Sequence, residues 1–87
     1  MDKALLAAVQ RFPDRQHVLK TLAARDESFR ALCSDLAEAE AALRRWRAST
    51  SSVREQRCAE YLELVESLAG EIVLHLDAVG TGTSDVA

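Results

Sequence analysis

The sequence predicts an all-α fold: an antiparallel, coiled-coil-like helical hairpin with a short N-terminal helix, completed to a bundle by dimerisation. The first observation is composition, because Ala, Leu, Glu and Arg dominate the chain and all four favour helices. The second is the scarcity of β-branched and aromatic residues, the latter only 5%, which disfavours a sheet. The third is the recurrence of apolar residues at three- and four-residue spacing through two long stretches.

Length and charge limit the classes of function. The 87 residues allow one small domain, which we place at 1–79. The net charge of −3 disfavours nucleic acid or an anionic membrane as the main partner, because both attract basic surfaces. No apolar run approaches the roughly 20 residues of a membrane-spanning helix. The N-terminus also lacks the long apolar region of a signal peptide, so we expect a cytoplasmic protein.

The first predicted helix covers about 3–11, where three apolar side chains share one face: Leu5, Leu6 and Val9. Pro13 should stop or bend this helix, since the residue before a proline avoids the helical conformation. We therefore expect a new helical segment to begin at Pro13 or at the next residue.

The second stretch has a heptad pattern that is broken only at Arg25. Asp26 follows the break and belongs to the residue types that cap a helix start. The stretch is therefore either one bent helix or two helices, at about 14–25 and 26–48. The heptad positions are Leu22, Phe29, Leu36 and Leu43, and the companion positions are Val18, Leu32, Ala39 and Trp46.

A run of small hydroxyl residues at 49–52 then interrupts the pattern. Ser52 and Glu55 have the spacing of a capping box, which predicts a last helix at about 53–78. The short connection makes the flanking helices antiparallel neighbours. The central stripe of the last helix is Cys58, Val65, Ile72 and Val79, flanked by Leu62, Ala69 and Leu76 on one side and by Tyr61, Leu68 and His75 on the other. Gly80 offers a C-terminal stop, and 80–87 are expected to be a disordered tail.

This apolar face is wider than one partner helix covers, and an exposed apolar face usually marks an interface. The N-terminal helix, a second copy of the chain or another protein could cover it. We favour a homodimer, because two-fold self-association is the commonest solution. The predicted seam and interface residues are Leu22, Phe29, Leu32, Leu36, Leu43, Leu62, Val65, Leu68, Ile72 and Leu76.

The pattern of polar residues predicts no catalytic, cofactor-binding or metal-binding residues. His17 is expected to be exposed and His75 half-buried, and the two do not converge in a hairpin. Two cysteines are too few for a disulfide framework or a zinc site. We therefore expect a non-enzymatic protein that acts through protein–protein association. The alternative is a nucleic-acid-associated protein that uses the Arg-Arg-Trp-Arg segment at 44–47.

The segment 12–78 resembles the YdcH-like family of small bacterial helical proteins. The matching elements are Phe12, Pro13, Asp14, Leu19, Leu22, Asp26, Phe29 and Leu32. The chain departs from the family in its additional N-terminal helix, and in Ala39-Glu40 where the family favours Leu-Asp. The resemblance implies an all-α hairpin with a break near Arg25–Asp26, which favours two helices over one. It implies no established activity and no catalytic residues.

Overall fold

The structure is a computed structural model that describes the backbone of residues 3–86 and the side chains of residues 3–79. All of the regular structure in these ranges is helical, which confirms the predicted all-α class for them. The α-helices are α1 (Lys3–Arg11), α2 (Gln16–Arg25), α3 (Glu27–Arg47) and α4 (Arg54–Val86), with a short 3-10 helix at Pro13–Arg15. The molecule is elongated, with dimensions of 54 × 24 × 21 Å.

The junction between α1 and α2 is organised by Pro13. The backbone N–H of Phe12 donates to the carbonyl of Ala8 at 2.9 Å, which completes the last turn of α1. Phe12 itself has φ −125° and ψ 62°, outside the helical region that the residue before a proline avoids. Pro13 then opens the 3-10 turn, so the segment predicted as one helix over 14–25 is a 3-10 turn followed by α2.

Asp26 separates α2 from α3. Its backbone is extended, with φ −133° and ψ 106°. Its carboxylate accepts hydrogen bonds from the backbone N–H groups of Ser28 at 2.9 Å and Phe29 at 3.2 Å. Since the first N–H groups of a helix have no partner within the helix, this cap fixes the start of α3. Of the two alternatives left by the sequence, the chain therefore adopts two helices.

The connection between α3 and α4 uses serine hydroxyls, but not the predicted one. The hydroxyl of Ser49 accepts the N–H of Ser51 at 3.0 Å, and the hydroxyl of Ser51 accepts that of Val53 at 3.2 Å. The capping box assigned to Ser52 was therefore misplaced: the hydroxyl that accepts an N–H just before α4 is that of Ser51, and the helix begins at Arg54.

The C-terminal end of α4 also differs from the prediction. The helix continues to Val86, past the expected end near 78. A glycine ends a helix most readily when it adopts a left-handed conformation, and no described glycine has a positive φ. The side chains of the predicted tail at 80–87 lie outside the described residues, and the disorder of this segment stays a prediction.

The core is an apolar cluster shared by the four α-helices. It contains Leu5, Ala8, Leu19, Ala23, Phe29, Cys33, Leu36, Ala39, Leu43, Val65, Ala69, Ile72 and Leu76. Helix α3 is central, since it packs against α1, α2 and α4. Helix α1 buries Leu5 and Ala8 in this cluster, so the chain's own N-terminal helix covers part of the apolar surface left open in the sequence.

The predicted seam residues fall into three groups by exposure. Those buried are Phe29, Leu36, Leu43, Val65, Ile72 and Leu76, and those half-buried are Leu22, Leu32 and Leu68. Leu62 is 42% exposed. It borders a surface depression together with Arg11, the last residue of α1, so no further turn of α1 covers it. On α3, Cys33 rather than Leu32 occupies the fully buried position between Phe29 and Leu36.

Two surface ion pairs join elements that are distant in the sequence. Arg11 at the end of α1 pairs with Glu40 of α3 at 3.2 Å. Arg15 of the 3-10 turn pairs with Asp77 of α4 at 2.7 Å. Exposed pairs of this kind typically contribute about 0.2–1 kcal/mol, so the apolar core provides most of the stability.

Candidate interaction surface

A groove runs along the α3 and α4 surfaces. This α3–α4 groove has a volume of about 620 Å³, and its lining is Asp35, Glu38, Ala39, Ala41, Ala42, Arg45, Tyr61, Leu64 and Leu68. A second depression of about 530 Å³ shares Tyr61 and Leu64 with it and adds Trp46, Arg57 and Glu60. The two depressions therefore form one continuous trough toward the α3–α4 connection.

The floor and the walls of the groove come from different residue types. Helix α3 contributes three alanines, of which Ala39 and Ala42 are buried and Ala41 is half-buried. Small side chains let another helix approach closely, because the distance between helix axes depends on the residues at the contact. Helix α4 contributes Leu64, which is 45% exposed, and the half-buried Tyr61 and Leu68. The groove is thus an apolar trough open to solvent.

Charged residues stand on the α3 side of the groove. Asp35 and Glu38 lie near the middle of α3, and Arg45 lies two turns beyond Glu38. All three are exposed, and none has an ion pair in the described part of the chain. On α4, by contrast, Arg57 donates to Glu60 at 2.8 Å and lowers the pKa of that carboxyl below its usual value.

The predicted interface residues are distributed over several surfaces. Of the ten, only Leu68 lines the α3–α4 groove. Leu22 lines a depression of about 410 Å³ beside α2 and α4, together with His17 and Val79. Leu43, Leu62 and Val65 border the depression next to Arg11. The remaining five lie in the core or at its edge, so the structure does not bring the predicted residues together as one surface.

Leu68 is the one groove residue among the predicted interface residues, and Tyr61 was placed only on a flank of the last helix's apolar stripe. Tyr61, Leu64 and Leu68 recur at three- and four-residue spacing and form a second apolar stripe on α4. This stripe was the signal that was available in the sequence. Ala41 and Ala42 gave no such signal, because alanine favours a helix at covered and uncovered positions alike.

The arginine-rich end of α3 extends onto α4. Arg44, Arg45 and Arg47 are exposed in the last turns of α3. Arg54 joins them, because its Nε donates to the carbonyl of Arg47 at 2.9 Å. Trp46 is half-buried, whereas the sequence placed it in the seam. Positive charge at a helix C-terminus complements the negative end of the helix dipole, so local structure accounts for part of this cluster.

The thiol and imidazole groups are separate from the groove. Cys33 and Cys58 are both free thiols, and burial raises the pKa of Cys33 to about 11. His17 is exposed, as predicted. His75 is more exposed than predicted, but its ring contacts Phe29 edge-on, with 5.6 Å between ring centroids. No cluster of three His, Cys, Asp or Glu side chains suited to a metal ion occurs among the described residues.

No helix in the described ranges is both long and apolar enough to span a bilayer. Comparisons with protein-family models, with curated proteins and with solved structures found no match to this chain.

Proposed function

We propose that this chain is a non-enzymatic helical protein that acts through protein–protein association, with α3 and α4 forming an antiparallel hairpin that presents the binding surface. The observation that carries the proposal is the α3–α4 groove. Its apolar wall, with Leu64 45% exposed, faces solvent, while α1 covers another side of α3. A helical partner would bury this wall, and amphipathic helices bind to grooves of this kind through side chains at i, i+3, i+4 and i+7.

The partner is either a second copy of the chain or a helix of another protein. We favour self-association, because two-fold homodimers are the commonest soluble oligomers. Two hairpins would then complete a four-helix arrangement. The resemblance to the YdcH-like family supports the proposal, since the fold that it implies is also a helical hairpin. The cytoplasmic location stays a prediction, which fractionation of producing cells would test.

A matched pair of leucine substitutions tests the proposal. Leu64→Arg places a charge on the groove wall, and Leu74→Arg places the same charge on α4 at a leucine that is 70% exposed and outside the groove. Light scattering at micromolar concentration should show a dimer for the wild type and for Leu74→Arg, and a monomer for Leu64→Arg. Circular dichroism should show that all three proteins are folded.

If light scattering shows that the wild type is monomeric, a second measurement is needed. Wild-type and Leu64→Arg proteins would be used to capture partners from an extract of the native host, with quantitative mass spectrometry. A partner retained by the wild type and by Leu74→Arg, but lost with Leu64→Arg, would support heterologous association through the groove. If the wild type is monomeric and the proteins captured by Leu64→Arg and by Leu74→Arg are the same, the proposed function is refuted.

The second candidate function is nucleic-acid association through the arginine-rich end. The observation that favours it is the addition of Arg54 to the predicted cluster of Arg44, Arg45 and Arg47. The net charge of −3 opposes it. Fluorescence anisotropy with single- and double-stranded oligonucleotides should detect binding at low salt that weakens steeply as salt increases. Absence of binding at low salt, or binding unchanged by Arg44→Gln with Arg47→Gln, would eliminate this candidate.

A further inference from the structure

We propose that the α3–α4 groove binds the same groove of a second copy, with the two α3 helices antiparallel and crossing at Ala41 and Ala42. This inference rests on the proposed function and specifies the partner and the contact geometry. It follows from the arrangement of charge and side-chain size along one face of α3, which is complementary to itself after a two-fold rotation.

Two of the three charged residues on the α3 side of the groove are placed symmetrically about the small residues, whereas Asp35 has no charged counterpart. Glu38 and Arg45 both line the groove, and the midpoint between them along the helix lies between Ala41 and Ala42. At about 1.5 Å per residue, each charge is about 5 Å from that midpoint. In a two-fold contact, if residue i meets residue j of the partner, then j also meets i. Glu38 therefore meets the partner's Arg45, and Arg45 meets the partner's Glu38.

The side chains between the charges fit a close helix crossing. Ala41 and Ala42 leave little bulk at the axis, and helices whose contact residues are small approach toward the lower end of the usual 8–10 Å range. Leu64 and Leu68 of α4 stand beside the crossing and would be covered by the partner copy. Their present exposure, 45% for Leu64, is the apolar area that such a contact removes from water.

The charges also discriminate between two-fold arrangements. If the two-fold axis of the dimer ran parallel to the helices, α3 would pack against the partner's α4. Arg45 would then approach the partner's Arg57 and Glu60, which line the adjoining part of the same trough and already pair with each other at 2.8 Å, so Arg45 gains no unpaired carboxylate there. Like charges brought together across an interface disfavour association. An axis perpendicular to the helices instead gives two opposite-charge pairs, and Glu38 and Arg45 have no ion pair within the described chain that would compete.

Charge reversal tests this geometry. Glu38→Arg and Arg45→Glu each place like charges opposite one another at two symmetric positions, so each should raise the dimer dissociation constant about tenfold in sedimentation equilibrium. The double variant restores opposite charges and should return to within about threefold of the wild type. The control Glu66→Arg changes an exposed charge of α4 outside the groove and should leave the constant unchanged.

Cross-linking gives a second readout of the same contact. Ala41→Cys would be introduced together with Cys58→Ser, which leaves only the buried native thiol Cys33. Mild oxidation should give a disulfide-linked dimer, because Ala41 lies next to the proposed axis. Ala59→Cys in the same background is the control, since Ala59 is exposed and does not line the groove. Equal cross-linking of the two variants would refute the proposed crossing.

The outcomes separate this inference from the proposed function. A wild-type dimer whose dissociation constant responds to neither charge reversal overturns the antiparallel α3 contact and leaves association through the groove in place. A monomeric wild type overturns the inference as well. The proposed function is then decided by the capture of a partner that depends on Leu64 and not on Leu74. Loss in both single reversals with recovery in the double variant supports the inference.

Discussion

Truncation of Phe29 is the most direct test of the core. Phe29 has no exposed surface and lies between the capped start of α3 and the apolar stripe of α4. Replacing a buried phenylalanine with alanine removes apolar contacts and leaves a cavity, at a typical cost of about 3–5 kcal/mol. A chain of 87 residues has a free energy of unfolding of about 4–13 kcal/mol. Phe29→Ala should therefore remove a large part of the stability.

The assay is thermal and urea unfolding followed by far-UV circular dichroism. For a domain of this size, each kcal/mol lowers the melting temperature by about 4–8 °C, so we expect a decrease of at least about 12 °C for Phe29→Ala. Measurements at several protein concentrations are needed, because association raises the apparent stability. Leu74→Ala is the matched control: Leu74 is 70% exposed, and its truncation should cost less than about 0.5 kcal/mol.

A double-mutant cycle separates the ring contact from the cavity. The rings of Phe29 and His75 meet at an interplanar angle of 68°, and aromatic pairs contribute about 0.5–1.5 kcal/mol beyond the area that they bury. Phe29→Leu, His75→Ala and their combination should give a coupling energy in this range. A Phe29→Ala protein that unfolds at the same temperature as Leu74→Ala would refute the burial of Phe29 and the register of α3 that depends on it.

Two further predictions concern the helix cap and the thiols. Asp26→Ala removes the acceptor for the N–H groups of Ser28 and Phe29 and should lower the free energy of unfolding in urea by about 0.5–2 kcal/mol. Asp26→Asn should retain most of the cap. Equal losses of stability in the two variants would contradict the capping role of Asp26. Burial raises the pKa of Cys33 to about 11, and only the thiolate is nucleophilic. In a thiol–disulfide reagent assay at mildly alkaline pH, the native protein should therefore show one fast-reacting thiol, that of the half-buried Cys58. Reactivity of Cys33 should rise as the pH approaches its pKa, and a fast phase that persists in Cys58→Ser would contradict its burial.

The residues that act locally were well predicted from the sequence. Pro13 ends the first helical segment, and Asp26 caps α3, because both effects depend on backbone groups within a few positions. The heptad residues Phe29 and Leu36 are buried, since their spacing places them on one face of any helix that they form. The chain could therefore be divided into helices, and the apolar face of α3 identified, before any tertiary contact was known.

The errors concern the two ends of α4, which the sequence assigned from short motifs. The spacing of Ser52 and Glu55 matched a capping box, yet the hydroxyls of Ser49 and Ser51 accept the N–H groups of the connection. Gly80 was expected to end α4, and the helix continues to Val86. Several serines precede α4 and glycines lie near its end. Composition and spacing do not tell which of these residues adopts the geometry that caps or ends a helix.

The candidate site depends most on tertiary structure. The sequence alone determined the all-α class, the capped start of α3 and the apolar stripes, because helix propensity, capping and periodicity are properties of short segments. Only the tertiary structure decided which parts of those stripes are covered. Helix α1 packs on α3 and ends at Arg11, so Leu62 stays exposed. The alanines of α3 and the Tyr61–Leu64 stripe of α4 then form the open groove. The exposure of an apolar side chain depends on where segments distant in the sequence end, and the local sequence pattern contains no information on that.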